Sequence, residues 1–236
     1  MYVYLALEIL AVLVPLIYSY DRKLKFYIKL KSVAISLFIV GAFYVGGDIL
    51  FTVHGIWGFN PKYHSGILLL NLPLEEWMFF IVIPYASIFL HDTLIFLFPT
   101  RQLTRQQTTI VSIVLVLFMG IVVVLNLQKM YTSIYLTVAI FAILLASSIQ
   151  NAVLSRFYLT FPVILVPFFL VNSVLTGSFI AEPVVWYNNS ENLGIRIFTV
   201  PVEDLSYAFS LILFNILLIN YLVVFFAGKS VKSPSI

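Results

Sequence analysis

The sequence predicts an all-α integral membrane bundle of about seven transmembrane helices, built from two parallel three-helix repeats and a connecting helix. Composition indicates the membrane class, because 62% of the 236 residues are hydrophobic and only 10% are charged, whereas soluble domains carry about 25% charged residues. The lengths of the apolar runs give the number of helices. An acidic motif that occurs once in each half of the chain predicts the repeat.

Seven apolar runs approach the roughly 20 residues that a helix needs to cross the hydrocarbon core. In chain order they cover 2–20, 31–52, 74–98, 109–127, 131–149, 157–180 and 203–227. No basic segment precedes the first run, so we expect a retained helix rather than a cleaved signal peptide. Only three residues separate the fourth and fifth runs, which predicts a tight helical hairpin. No segment has the alternating pattern of a β-strand.

Basic residues predict how the bundle is oriented. Ten of the thirteen lysines and arginines fall on one side of the predicted bundle, namely Arg22, Lys23, Lys25, Lys29, Lys31, Arg101, Arg105, Arg156, Lys229 and Lys232. Short cytoplasmic loops of membrane proteins carry an excess of such residues. We therefore predict a multi-pass protein with its N-terminus outside and its C-terminus in the cytoplasm.

The acidic motif stands at the start of the third and the seventh apolar run. Pro73-Leu74-Glu75-Glu76 recurs in the second half of the chain as Pro201-Val202-Glu203-Asp204. We call the separation between Pro73 and Pro201 the repeat offset. The same offset relates Gly66 to Gly194 upstream of the motif and Phe79 to Tyr207 downstream of it. Four of the ten acidic residues lie in these two motifs. Ionisable residues at a membrane helix are costly, which favours a functional role.

The duplication divides the chain into three parts. We predict a first repeat at 1–100, a connector with the fourth helix at 101–130, and a second repeat at 131–236. A shift by four helices preserves direction, so the repeats are parallel rather than inverted. Both motifs then lie on the outer side, and we expect them to meet at one central space.

The motifs supply candidate acids and bases. We predict a catalytic set of Glu75, Glu76, Glu203 and Asp204, joined by Asp48 near the outer end of the second helix. Adjacent helix positions point about 100° apart, so one carboxylate of each motif should face the pocket and the other should bond locally. A plainer interpretation is an ordinary helix start, where proline is common and acidic residues stabilise the helix by about 0.3–1 kcal/mol.

Two loops, at 53–72 and 181–200, are long and rich in aromatic residues. Long loops in an otherwise tightly connected protein are typical of functional lids. Their tryptophans and tyrosines also fit an aromatic belt at the level of the lipid headgroups.

The two halves together resemble the small membrane-bound lycopene cyclases, which often occur as two separate subunits in bacteria and as fused halves in archaea and fungi. The first half carries the resemblance in Asp48, Gly55, Trp57, Phe59, the Pro73–Glu76 motif and Phe79-Phe80. The second half carries it in Trp186-Tyr187-Asn188, Asn192-Leu193-Gly194-Ile195-Arg196, Pro201–Leu205 and Tyr207. The resemblance covers nearly the whole chain in the fused order.

This resemblance implies an isomerase-type enzyme that closes the ψ-end of lycopene into a β-ionone ring. A proton adds to the terminal double bond, the next double bond attacks the resulting cation, and loss of a proton completes the ring without net redox change. Carboxylates can act as acid and base, and aromatic faces can stabilise the cation. We expect the substrate to lie against Trp57, Trp77, Phe79, Phe80, Trp186 and Tyr207.

The sequence predicts neither a cofactor nor a metal site. No glycine-rich dinucleotide motif follows a strand, and the three histidines do not cluster. The expected partners are lycopene in the bilayer, membrane lipids and other enzymes of carotenoid biosynthesis, without nucleic acid. Two other functions stay open at this point: a membrane transporter with the carboxylates as ion sites, and a non-catalytic carotenoid- or lipid-binding protein.

Overall fold

The predicted all-α bundle is confirmed by the computed structural model of the protein, which describes residues 3–230. Its helices are α1 (Val3–Tyr18), α2 (Leu30–Val53), α3 (Leu74–Leu97), α4 (Arg105–Leu125), α5 (Met130–Ile149), α6 (Asn151–Leu175) and α7 (Glu203–Ser230). Within this described part, six helices are long and apolar enough to cross a membrane, and α1 is shorter, with 16 residues. Residue 2 of the first predicted helix and Lys232 lie outside the described residues, as does the side chain of Lys229.

Two helices begin earlier than hydropathy predicts. The helix α4 begins at Arg105 rather than 109, because Thr104 and Gln107 form a reciprocal capping box in which each side chain accepts from the other's backbone N–H. The helix α6 begins at Asn151 rather than 157, since only Gln150 separates it from α5. It ends at Leu175 rather than 180, where Gly177 adopts a φ of +114° that does not continue a helix. Hydropathy marks the hydrocarbon-spanning part of a helix rather than its polar ends.

Six short strands, which the sequence did not predict, organise the two long loops. They are β1 (Trp57–Phe59), β2 (Leu68–Leu69), β3 (Leu72–Pro73), β4 (Val185–Tyr187), β5 (Arg196–Ile197) and β6 (Val200–Pro201). The pairs β2–β3 and β5–β6 are hairpins that lead directly into α3 and α7. Runs of two or three residues are too short to show an alternating pattern, so only the structure reveals them.

The strands β1 and β4 join the two long loops into one antiparallel ribbon. Gly58 is paired with Trp186, and Trp57 with Tyr187. Because Gly58 and Trp186 are separated by the repeat offset, the ribbon pairs corresponding positions of the two halves. Segments that pair in this self-complementary manner are related by a local two-fold axis, which here passes through the Gly58–Trp186 pair.

Hydrogen bonds in the two loops recur at the repeat offset. The amide of Asn60 donates to the carbonyl of Val184 (2.8 Å), and the amide of Asn188 donates to the carbonyl of Ile56 (2.8 Å). Gly66 and Gly194, which are also separated by this offset, both have a positive φ angle (+86° and +73°). The amide of Leu74 donates to the carbonyl of Ile67 (2.9 Å), and the amide of Val202 donates to that of Ile195 (3.1 Å). The two halves therefore share local geometry as well as sequence.

The bundle has different packing at its two ends. At the motif end, where α3 and α7 begin, the core is rich in tyrosine and tryptophan. The opposite end holds an aliphatic and phenylalanine core. There Lys29 forms an ion pair with Asp92, and His91 bonds to Thr160 (2.7 Å). The lysines and arginines that we predict to face the cytoplasm lie at this opposite end, in so far as the structure describes their side chains.

Candidate active site

A small chamber of about 50 Å³ lies at the motif end of the bundle, and three carboxyl groups line it. These are Asp48 from α2, Glu76 from α3 and Asp204 from α7. The chamber draws side chains from six helices, α4 excepted, and from strands β1 and β4. The other lining residues are Tyr4, Trp57, Phe59, Phe79, Tyr131, Phe168, Asn172, Leu175, Val185, Tyr187 and Tyr207.

Asp48 and Glu76 form a carboxyl pair on one side of the chamber. Both side chains are buried, and they lie within hydrogen-bonding reach of each other. The Tyr4 hydroxyl donates to Oε2 of Glu76 (2.5 Å), and the Tyr207 hydroxyl donates to Oδ1 of Asp48 (3.1 Å). An ionised carboxylate only accepts hydrogen bonds. Two carboxyl groups this close together can form a hydrogen bond only when one of them carries a proton.

Asp204 faces the same chamber with a different set of partners. The hydroxyls of Tyr131 and Tyr187 donate to its two carboxylate oxygens, Tyr187 at 3.0 Å. Burial, reinforced by the neighbouring Asp204, raises the pKa of Tyr187 well above that of an exposed tyrosine. Tyr187 in the β4 strand therefore stays protonated and donates. Both carboxyl oxygens of Asp204 thus have a tyrosine hydroxyl as donor.

The tyrosine partners follow the internal repeat. Tyr4 and Tyr131 are each the second residue of the first helix in their half of the chain. Each donates to the second acid of its own motif, Glu76 in the first half and Asp204 in the second. The sequence analysis missed both tyrosines, because it compared the two halves only around the motifs. Extending the comparison to the start of α1 and α5 would have found them.

The first acid of each motif is also buried but does not line the chamber. Oε1 of Glu75 accepts from the backbone N–H of Ser65 (2.6 Å), and Oε1 of Glu203 accepts from that of Leu193 (2.7 Å). Both bonds reach back ten residues, and Glu203 also accepts from Thr132 (2.7 Å). These two carboxylates hold the loops that lead into α3 and α7. Their placement differs from the predicted catalytic set, because the helix turns them away from Glu76 and Asp204.

The predicted aromatic residues divide between the chamber and other places. Trp57, Phe79 and Tyr207 line the chamber. The other three lie outside it. Phe80 is buried in the core near Gly41, and Nε1 of Trp77 donates to the Leu69 carbonyl (3.2 Å). Trp186 covers Gly58 and is 43% exposed. The last three therefore support the fold around the site rather than its lining.

A cluster of aromatic rings surrounds the Asp48 side of the chamber. The ring centroids of Tyr135 and Tyr207 are 4.5 Å apart, and those of Trp57 and Tyr131 are 5.1 Å apart. Aromatic faces attract cations through their quadrupole. The chamber thus combines carboxyl groups with surfaces that can stabilise positive charge on an apolar molecule.

Within residues 3–230, no group of three or more histidines, aspartates or glutamates has the arrangement of a metal site. Asp48, Glu76 and Asp204 instead bind tyrosine hydroxyls or each other. The chemistry that this arrangement supports is proton transfer between buried carboxyl groups and a bound molecule.

Comparison with known families gives one finding that bears on this site. The family model described as lycopene cyclase matches residues 1–94 and 128–222. Both acidic motifs and all three chamber carboxyl groups lie in the matched regions, whereas α4 lies between them. No curated protein and no solved structure matches the chain.

Proposed function

Because the chain belongs to the lycopene cyclase family, we propose that it converts the linear ψ-end of lycopene into a β-ionone ring in the Asp48–Glu76–Asp204 chamber. The family implies a carotenoid substrate and a membrane setting. The observation that supports the chamber as the site is the convergence of acids from both halves of the chain among aromatic rings. Acid, base and cation-stabilising surfaces are what a ring closure of this kind requires.

The proposed reaction is an isomerisation in which atoms and electrons balance within the substrate. A proton from the enzyme adds to the terminal double bond and leaves a tertiary cation. The electrons of the neighbouring double bond form the new carbon–carbon bond, and the cation moves onto the ring. A ring carbon then loses a proton to the enzyme, which restores a double bond.

The carboxyl pair is the proposed acid of this reaction. Asp48 and Glu76 share a proton, and their negative charge after its release would lie next to the new cation. Asp204 is the proposed base, because both of its oxygens accept from tyrosine hydroxyls rather than from a second carboxyl group. After each turnover Asp204 carries one proton more and the pair one fewer, so a return of this proton within the chamber resets the enzyme.

The proposal also includes the division of the chain into repeats, its partner proteins and its orientation in the membrane. We keep repeats at 1–100 and 131–236, a connector at 101–130, and association with other enzymes of carotenoid biosynthesis. The outer side of the membrane is the proposed location of the motif end.

Expression in a lycopene-accumulating host, followed by pigment analysis, tests the function. We expect the wild-type chain to produce β-ring carotenes, and Glu76→Gln or Asp204→Asn to lower their formation at least about 100-fold, the usual scale for a lost acid or base. Glu75→Gln is the matched control: it lies beside Glu76 but binds a loop, and its amide oxygen can still accept from Ser65. Accumulation of unchanged lycopene with the wild-type chain would favour a binding protein or transporter.

A further inference from the structure

Several apolar grooves run along the sides of the bundle, and two of them are related in position. The first, the α1/α3/α6 groove, has a volume of about 440 Å³. The second, the α2/α5/α7 groove, has a volume of about 660 Å³. Both are lined almost entirely by hydrocarbon side chains, and exposed leucines such as Leu10 and Leu170 stand at the edge of the first. A hydrocarbon molecule in the bilayer could enter either groove from the side.

The two grooves are copies related by the internal repeat. Ala86 in α3 corresponds to Phe214 in α7, and Phe168 in α6 corresponds to Val40 in α2, each pair being separated by the repeat offset. Ala11 in α1 corresponds to Val138 in α5 at an offset one position shorter, which is the offset that also relates Tyr4 to Tyr131. The same positions in the two halves therefore line the two grooves.

Only the first groove shares lining residues with the chamber. Phe168 and Asn172 line both the α1/α3/α6 groove and the chamber. The residues described as lining the second groove and those lining the chamber have no member in common. The first groove therefore lies directly beside the chamber, with Phe168 and Asn172 at the boundary between them.

We attribute the separation of the second groove from the chamber to Tyr44. It is the counterpart of Asn172 at the repeat offset, and it is buried, with 1% of its surface exposed. Its hydroxyl donates to Ser210 (2.6 Å), and its ring packs against Tyr207 (centroids 5.1 Å apart) and Tyr135 (6.1 Å). A large, fixed ring thus fills the position at which the first groove has a smaller amide.

We propose that the α1/α3/α6 groove holds the polyene tail of the carotene while its ψ-end lies in the chamber, and that Tyr44 closes the corresponding path on the other side. This inference rests on the proposed function. The chamber is much smaller than a linear carotene, so most of the polyene must lie elsewhere, and the groove that borders the chamber at Phe168 and Asn172 is the nearest apolar surface for it. Because only the first of the two grooves borders the chamber, the enzyme binds one end of the polyene at a time.

Phenylalanine substitutions at corresponding positions provide a matched test. Ala11→Phe places a ring in the first groove, and Val138→Phe places the same ring at the corresponding position of the second. Ala86→Phe is a second blocking variant, and the chain already carries a phenylalanine, Phe214, at its counterpart. These side chains are only half-buried and face the grooves, so the helices can accommodate the change.

The measurement is lycopene binding to the purified protein, followed by the visible circular dichroism that a bound polyene acquires in a chiral site. We expect Ala11→Phe and Ala86→Phe to weaken binding at least about tenfold, or about 1.4 kcal/mol, with Val138→Phe close to wild type. A saturated phospholipid should not displace the polyene.

Binding and cyclisation separate the two proposals. If the groove variants lose binding selectively but the wild-type chain forms no ring, the groove inference stands and the proposed function fails. If the wild-type chain cyclises lycopene but Val138→Phe weakens binding as much as Ala11→Phe, the groove inference is wrong. Absence of lycopene binding to the wild-type protein, or equal competition by the saturated lipid, would also overturn it.

Discussion

At the scale of single residues, one motif performs two different tasks. Glu76 and Asp204 face the chamber, whereas Glu75 and Glu203 bind the loops before their helices. The turn of about 100° between adjacent helix positions separates them. A carboxylate in each first position secures the loop, and its neighbour is thereby directed into the chamber.

The loop-binding role predicts a loss of stability. Glu203→Ala leaves the part-buried N–H of Leu193 and the buried hydroxyl of Thr132 without their acceptor, which should lower the free energy of unfolding by about 1–3 kcal/mol. Glu203→Gln retains an acceptor oxygen and should cost less. Unfolding of the detergent-solubilised protein measures both, and a larger loss with Gln than with Ala would contradict the assignment.

The tyrosine donors predict a loss of activity at constant fold. Tyr4→Phe removes the donor to Glu76, and Tyr131→Phe removes a donor to Asp204. A hydrogen bond to a charged group is worth about 1.5–3 kcal/mol, so each change should slow ring formation about tenfold or more. Tyr158→Phe, which loses only its bond to Ser112 outside the chamber, is the control. Equal rates for all three variants would argue against the chamber as the site.

At the scale of elements, the β1–β4 ribbon connects the two halves over the chamber. Trp57 of β1 and Tyr187 of β4 line the chamber, so the ribbon positions side chains from both loops at once. The close approach depends on Gly58, because a Cβ there would lie 2.4 Å from the Trp186 ring.

Gly58 therefore predicts a mutation that a second mutation can rescue. Gly58→Ala should displace the Trp186 ring, distort the ribbon and reduce both ring formation and thermal stability. The double variant Gly58→Ala/Trp186→Ala removes the clash and should recover part of the loss, a non-additivity that a double-mutant cycle measures. Gly46→Ala, where a Cβ meets no atom within 4 Å, is the control. Additive losses would show that the two residues do not interact.

At the scale of the whole molecule, the distribution of charge predicts an orientation. The opposite end of the bundle carries the described basic residues of the predicted cytoplasmic set, and the motif end carries few. The motif end, with its chamber, should therefore face away from the cytoplasm.

The absence of cysteine from the sequence makes this orientation measurable. Ser190→Cys is exposed in the second long loop at the motif end, and Thr100→Cys is exposed between α3 and α4 at the opposite end. A membrane-impermeant maleimide should label Ser190→Cys in intact cells and Thr100→Cys only after permeabilisation. The reverse pattern would invert the proposed topology.

Much of the architecture could be predicted from the sequence alone. Apolar length and low charge determine seven helices, because the bilayer core sets the length of a span. The duplicated motif indicates two related halves, and helical geometry separates Glu75 from Glu76. The strands escaped prediction because pairs of two or three residues leave no periodic signal, and α6 was placed too late because its first turns are polar.

The tertiary structure alone decided which groups meet. Tyr4 and Glu76 are 72 residues apart, and the Tyr207 hydroxyl donates to Asp48 across a separation of 159 residues. The difference between the two grooves also depends on packing, since Asn172 lies between the first groove and the chamber, whereas its counterpart Tyr44 is a buried ring. Such contacts join side chains from elements that are remote in sequence, and no local pattern of hydropathy or spacing records which of them face each other.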